Sequence, residues 1–289
     1  MSIRHIANTA FLIFLFAFAC ANGRANAQTP APTFTIGVLP NVSARVILNN
    51  YQPMREYFAR ELKRDVDIAT AADFIAYHQA SQRGDYPMLI TAANLGRVAQ
   101  LDANLTPIAI YEPAIPGLLV AAAGNANDTL DQLRGKSLAL ANPQSLVALR
   151  GLQWLKQQGL NVGTDFKIVR ASNDDSLGTL IRTGEAPLAM MSMGEFRAIG
   201  EDTRKNLRVV KEFAKVPGFL VMTHPNLSSA DRQQIKSLIL QFPKSEEGKK
   251  FSALANVANI REVTAADLDP LDAFVAETRA GLSGISGTK

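Results

Sequence analysis

Apolar residues along this chain form short runs and helical stripes in alternation. Residues 34–39 make a compact β-rich run that stops at Pro40. Residues 51–64 then place Met54, Tyr57, Phe58 and Leu62 on one helical face. Residues 66–70 read as a second strand, and Asp73 is placed to cap a helix over residues 74–83. Residues 88–91 read as a third strand, opened by Gly84-Asp85-Tyr86-Pro87. A βαβαβ order implies a parallel sheet with helices on its faces.

The order recurs, without a gap, one hundred positions later. Asp67-Ile68 corresponds to Lys167-Ile168, Ala71 to Ala171, and Gly84-Asp85-Tyr86-Pro87-Met88 to Gly184-Glu185-Ala186-Pro187-Leu188. A helix over residues 145–158, with Leu146, Leu149, Leu152, Trp154 and Leu155, stands where the 51–64 helix stands in the first unit. The pattern predicts an α/β protein of two lobes, each a mostly parallel sheet flanked by helices, with a ligand cleft between them. Proline-rich residues 111–117 end the first unit and Lys215-Val216-Pro217-Gly218 ends the second, so both read as crossovers. A strand over 219–223 and helices over 229–241, 246–255 and 267–280 follow, and these return to the first lobe. The expected boundaries are residues 28–115 with 218–289 for lobe one and 116–217 for lobe two.

Residues 1–27 carry the parts of a cleavable secretory leader: Arg4 and His5, an apolar run from Ala10 to Ala21, and Ala25-Asn26-Ala27 before Gln28. That run is shorter than the roughly 20 residues a spanning helix needs, and no later stretch exceeds it. The leader predicts a periplasmic protein. Cys20, the only cysteine, falls inside the leader, so no disulfide is expected in the remainder. Lipidation at Cys20 fits less well, because Ala17 stands where a lipidation signal has an aliphatic residue. The formal charge of +4 includes Arg4 and Arg24, and the clusters at residues 60–64 and 244–250 mix signs. They read as solvated helix faces, which argues against a nucleic-acid partner.

With these elements in place, the chain resembles the substrate-binding proteins of phosphate, phosphite and phosphonate ABC transporters, which have the type II periplasmic-binding fold. The resemblance spans nearly the whole chain after the leader. It rests on Ile36-Gly37-Val38-Leu39-Pro40, Ala71-Ala72-Asp73-Phe74, the Gly84 and Gly184 turns, Asn142-Pro143-Gln144-Ser145, Val216-Pro217-Gly218 and Leu227-Ser228. It implies an extracytoplasmic receptor that closes around a small solute, without cofactor or metal, and hands it to a membrane permease. It also implies that the solute meets hydroxyls and backbone N–H groups at a helix N-terminus, where orphan donors and the helix dipole favour negative charge. Here that element is Asn142, Gln144 and Ser145 with the N–H groups of Leu146 and Val147. Asn41, Phe74, Thr91, Asp174 and Phe219 complete the candidate site. The competing structural reading makes Asn142 or Ser145 a plain helix cap, Asp73 another, Asp174-Asp175 a polar turn and the phenylalanines core.

The chain departs from the family's pattern in one direction. Leu146, Val147 and Ala148 replace hydroxyl residues and the glycine after them, Phe74 and Thr91 replace tyrosines, Pro87 and Pro187 replace turn acids, Phe219 replaces an aspartate, and Asp174 replaces a histidine. Oxyanion donors are lost and apolar surface is gained, a change that also suits an amine or a ring-shaped solute. Catalytic chemistry has no visible basis. His78 and His224 lack metal-ligand spacing, and neither a Gly-x-Ser-x-Gly elbow nor a phosphate-binding Gly-rich loop occurs. Import is therefore the expected role, for a monomer that is not an enzyme. The alternative is a periplasmic sensor subunit that signals ligand binding to a membrane kinase or cyclase.

Overall fold

The computed structural model describes residues 32–124, 129–171 and 174–283. The leader read over residues 1–27, with Cys20, lies outside them. The elements run β1 (Phe34–Val38), α1 (Ala44–Leu62), β2 (Val66–Ala69), α2 (Phe74–Arg83), β3 (Met88–Thr91), α3 (Ala93–Ala103), β4 (Thr106–Glu112) and β5 (Ile115–Ala122). They continue with β6 (Ser137–Leu140), α4 (Leu146–Gln157), β7 (Lys167–Arg170), α5 (Asp174–Arg182), β8 (Leu188–Ser192), α6 (Met193–Ala198), α7 (Glu201–Arg204) and β9 (Leu207–Val216). The last are β10 (Leu220–Thr223), α8 (Ser229–Gln241), α9 (Glu246–Ala255), β11 (Asn259–Glu262), α10 (Ala265–Leu268) and α11 (Val275–Leu282). No helix among the described residues is long and apolar enough to cross a membrane.

Two sheets result, with orders β11-β4-β10-β3-β1-β2 and β7-β6-β8-β5-β9. The repeat is visible in both. β2-β1-β3 and β7-β6-β8 pair in parallel, and Gly84 and Gly184 occupy the same left-handed position after α2 and α5, at φ +85° and +75°. Each parallel trio is extended by an antiparallel strand that arrives from the other half of the chain. β10 enters beside β3 after the second crossover, and β5 beside β8 after the first. The sheets are thus mixed where the sequence predicts them mostly parallel, because strands delivered by a crossover run back against their neighbours.

Strands buried on both faces account for the long apolar runs. In β3, Leu89 packs with α2, α3 and the C-terminal helices, while Met88 and Ile90 pack with α1, α8 and α9. The second sheet is covered by α5 on one face and α4 on the other. Local signals set the helix ends: Asp73 accepts from Ala76 N at 2.8 Å and starts α2 where expected. α1 begins at Ala44, seven positions before the predicted start, and accommodates Pro53. The predicted 267–280 helix is broken instead. Pro270 opens a 3-10 turn over Asp269–Phe274 that separates α10 from α11.

Candidate functional site

The two crossovers border a cleft of about 600 Å³. Its walls include the start of α1, the first residues of α2, α3, α4 and α6, the C-terminal end of α9, and both crossover segments. Gly218 is required where the crossovers meet. A Cβ there would overlap the carbonyl oxygen of Tyr111 and lie 2.8 Å from its carbon, so only glycine lets these backbones approach.

Two helix N-termini from opposite lobes converge on the cleft. At α4, Ser145 Oγ accepts from Ala148 N at 3.1 Å, which satisfies one orphan donor and leaves the N–H groups of Leu146 and Val147 without a helix partner. The hydroxyl keeps its proton to donate. At α3 the N-cap position is Ala92, which has no side chain able to cap, so the N–H groups of Ala93, Asn94 and Leu95 lack helix partners too. These three residues are each only 1% exposed. A buried, uncapped helix start needs an acceptor from elsewhere, and the helix dipole favours a negative one. The two ends are tied together: Asn94 Nδ2 donates to the Gln144 carbonyl at 3.0 Å and to Thr278 Oγ1 at 3.0 Å.

Asn41, Phe74, Ser145, Leu146, Val147 and Phe219 line the cleft. The side chains of Leu146 and Val147 are buried in one apolar cluster with Phe74, Ala92 and Ala93, so they join the lobes and leave their backbone to face a ligand. Ser145 is both the cap of the structural reading and a cleft residue. Asn142, Gln144 and Thr91 stand outside the wall. The Asn142 carbonyl accepts from Ser145 N, and Gln144 packs toward the position a Gly281 Cβ would take, its Cγ 2.8 Å away. Thr91 is buried at the end of β3, opposite Leu220. Asp174 is the first residue of α5, and its side chain lies outside the described set. Asp73 is an exposed cap.

Charge in the cleft is sparse and unbalanced. Glu195 is buried in the wall, and burial pushes its carboxyl above the usual range although Ser192 N donates to Oε2 at 2.6 Å. Glu112 is held below the usual range by Arg261 and Asn259. Arg197 and Lys215, the cations of the wall, are exposed. Tyr111 also lines the cleft; its hydroxyl is buried beside that of Tyr51, and burial raises both phenols above the usual tyrosine range. Among the described residues no three His, Cys, Asp or Glu side chains converge to hold a metal.

Sequence reasoning missed the α3 start, Asn94, Glu195 and Tyr111. The repeat carried a signal for the first: Ala92-Ala93 leads from β3 into α3 as Ser192-Met193, the end of β8 and the start of α6, does one hundred positions later, and both pairs reach the cleft. Nothing local marks the others, whose positions depend on which elements the fold brings beside them.

Known proteins agree with this arrangement. A binding-protein component of an ABC phosphonate transporter from Pseudomonas aeruginosa superposes with a TM-score of 0.75 at 14% identity, covering 89% of this chain and 91% of its own. PhnD1 from Prochlorococcus marinus, in complex with methylphosphonate, gives 0.74 at 14% identity and covers 86% and 98%. A Xanthomonas citri protein bound to ATP gives 0.70 at 15% identity and covers 87% and 99%. These likenesses establish the type II periplasmic-binding fold. No curated protein sequence matches. The family model of ABC transporter phosphonate periplasmic substrate-binding proteins matches residues 36–268. The chain therefore belongs to that family, whose members are solute receptors of ABC importers and not enzymes.

Proposed function

We propose that this receptor is exported through the leader at residues 1–27, acts as a monomer, and binds an organic oxyanion at the paired starts of α3 and α4. Its lobes take the boundaries expected from the sequence, 28–115 with 218–289 and 116–217. The observation that carries the reading is the buried, uncapped N-terminus of α3 next to that of α4. The backbone N–H groups of Ala93, Leu146 and Val147, whose residues line the cleft, and the Ser145 hydroxyl are then available to one anion. Backbone donors are fixed by the fold and need no ordering when the solute enters.

Neutral donors and an apolar wall favour a weakly hydrated single charge over a dianion, which loses more hydration on entry. Phosphonate monoanions, phosphonate esters and sulfonates fit that description better than inorganic phosphate. The buried Glu195 carboxylate acts in the same sense, because it adds to the cost of each further negative charge.

A thermal-shift screen against phosphate, phosphite, methylphosphonate, longer alkylphosphonates, alkanesulfonates and alkylamines tests the reading. A true ligand at 100 times its dissociation constant raises stability by about 2.7 kcal/mol. Organic oxyanions are expected to lead the panel, and Ser145→Ala to weaken them. A panel led by amines, or by inorganic phosphate, refutes the proposal.

A further inference from the structure

The two crossovers are neighbours, joined where Tyr111 N donates to the Phe219 carbonyl at 2.9 Å. Taken alone they form a hinge that leaves one lobe free to swing against the other. A third, non-covalent tie between the lobes lies elsewhere. The segment from Asp269 to Leu282, a 3-10 turn followed by α11, comes after both crossovers in the chain and is built into lobe one. Two bidentate ion pairs fasten it to α3. Arg97 meets Asp272 at 2.6 and 3.1 Å, and Arg279 meets Asp102 through Nε at 3.1 Å and through Nη2. Leu271, Phe274 and Leu282 share one apolar cluster with Leu95 and Val98 of α3.

The same segment touches lobe two around the start of α4. The Arg150 guanidinium lies 5.6 Å over the Phe274 ring. Gly281 faces Gln144, the residue before the α4 cap. A Cβ on Gly281 would stand 2.8 Å from Gln144 Cγ, closer than side chains pack. Gly281 is inside α11 and has no positive φ, so its backbone does not call for glycine, which weakens a helix relative to alanine. The close approach of lobe two does call for it. Asn94 completes the tie, because its amide joins Thr278 of the segment to the Gln144 carbonyl.

We infer that residues 269–282 are a strap that fixes the start of α4 against the start of α3, so that the receptor is largely closed before a solute enters. Gln144, Arg150, Phe274 and Gly281 are then positioning residues. None of them lines the cleft, yet together they set how near the Ser145 hydroxyl and the N–H groups of Leu146 and Val147 stand to lobe one.

Small-angle scattering of the purified, ligand-free protein, fitted as a mixture of open and closed forms, tests the strap. The parent is expected to be mostly closed. Gly281→Ala should open it, since the added methyl has no room until lobe two withdraws. Gln144→Ala in the same chain should close it again: the offending Cγ is gone, and the Gln144 Cβ stands 3.7 Å from the new methyl, an ordinary contact. A glycine that served only the core of lobe one could not be rescued from lobe two. Arg150 is exposed on α4, so Arg150→Ala probes the strap without disturbing either core, and the loss of its contact with Phe274 should lower the closed-to-open ratio about two- to fivefold. An open parent, a Gly281→Ala protein as closed as the parent, an opening that Gln144→Ala does not reverse, or an unchanged ratio in Arg150→Ala overturns the strap. No solute enters these measurements, so they stand or fall apart from the oxyanion reading.

Discussion

Asn94 offers the sharpest test of how this receptor closes. Its amide donates across the lobes to the Gln144 carbonyl and within its own lobe to Thr278, while its Oδ1 is buried without a partner among the described residues. Asn94→Leu keeps the branched shape, with somewhat larger methyl groups in place of the amide, and removes all three features. Within lobe one the changes oppose each other: the Thr278 bond is lost, worth about 0.5–1.5 kcal/mol, and the cost of the unpartnered oxygen disappears, about 1–3 kcal/mol. Little net change in melting temperature is expected. The Gln144 bond exists only when the lobes meet, so its loss is felt by the closed state alone. About 0.5–1.5 kcal/mol withdrawn from the closed state weakens the tightest-binding oxyanion between about twofold and tenfold. Calorimetry supplies the affinity, and small-angle scattering of the ligand-free protein should report a more open ensemble. Unchanged affinity with a lowered melting temperature would show that Asn94 serves only the core of its own lobe, and the coupling argument would fail.

Three further outcomes follow from the same geometry. Burial holds the Glu195 carboxyl above its ordinary value, so its protonation favours the native state, fully so at acid pH and less as pH rises through the raised value. Glu195→Gln should exceed the parent in stability at neutral pH and match it near about pH 4, and it should bind oxyanions more tightly; pH-dependent melting curves and titrations check both. Gly218→Ala drives a methyl into the Tyr111 carbonyl, and chemical denaturation should register a loss of about 1–3 kcal/mol. Arg261 bonds Glu112 at 2.9 Å and Asp267 at 2.7 Å, and holds both carboxyls low. Arg261→Met should lower the melting temperature at neutral pH, with the difference shrinking as acid protonates the two carboxylates in the parent; a pH-independent difference would contradict the assignment.

How much of this was legible in the sequence varied with how local its cause is. α2 was read to the residue, because Asp73 caps it and Gly84 ends it in a left-handed turn. α8 and α9 were read to the residue as well, and Ser228 and Ser245 cap them. The start of α1 was hidden by Asn49, Asn50 and Pro53, all poor helix formers that tertiary packing overrides. α3 was missed for a related reason. It lacks a cap, and its Gly96 is there for packing, since a Cβ would come within 2.8 Å of Leu220 and 3.0 Å of Met222. Within the site, Ser145 was visible as a hydroxyl before an apolar helix. Asn94, Glu195 and Tyr111 were not, because each depends on a partner, or the want of one, supplied from a distant part of the chain.

Leu146 and Val147, which stand where the family resemblance leads one to expect ligand-facing hydroxyls, bear on more than the donor count. Those side chains now join Phe74, Ala92 and Ala93 across the lobes, next to the Asn94–Gln144 bond and to Arg150, whose guanidinium lies 5.6 Å over the Phe274 ring. Each of these contacts stabilises the closed state whether or not a solute is present. A solute shifts the equilibrium only by the difference in its affinity for the two states. The more the lobes hold each other, the smaller the conformational cost the solute must offset, and the weaker the contrast a permease can read between empty and loaded receptor. A chain that gives up side-chain donors can therefore retain its affinity, because pre-closed lobes and fixed backbone N–H groups offset the lost hydroxyls. The expense falls on discrimination. If so, restoring Leu146→Thr and Val147→Ser should open the ligand-free ensemble while increasing the affinity for methylphosphonate relative to hexylphosphonate, an outcome that scattering and calorimetry measure independently.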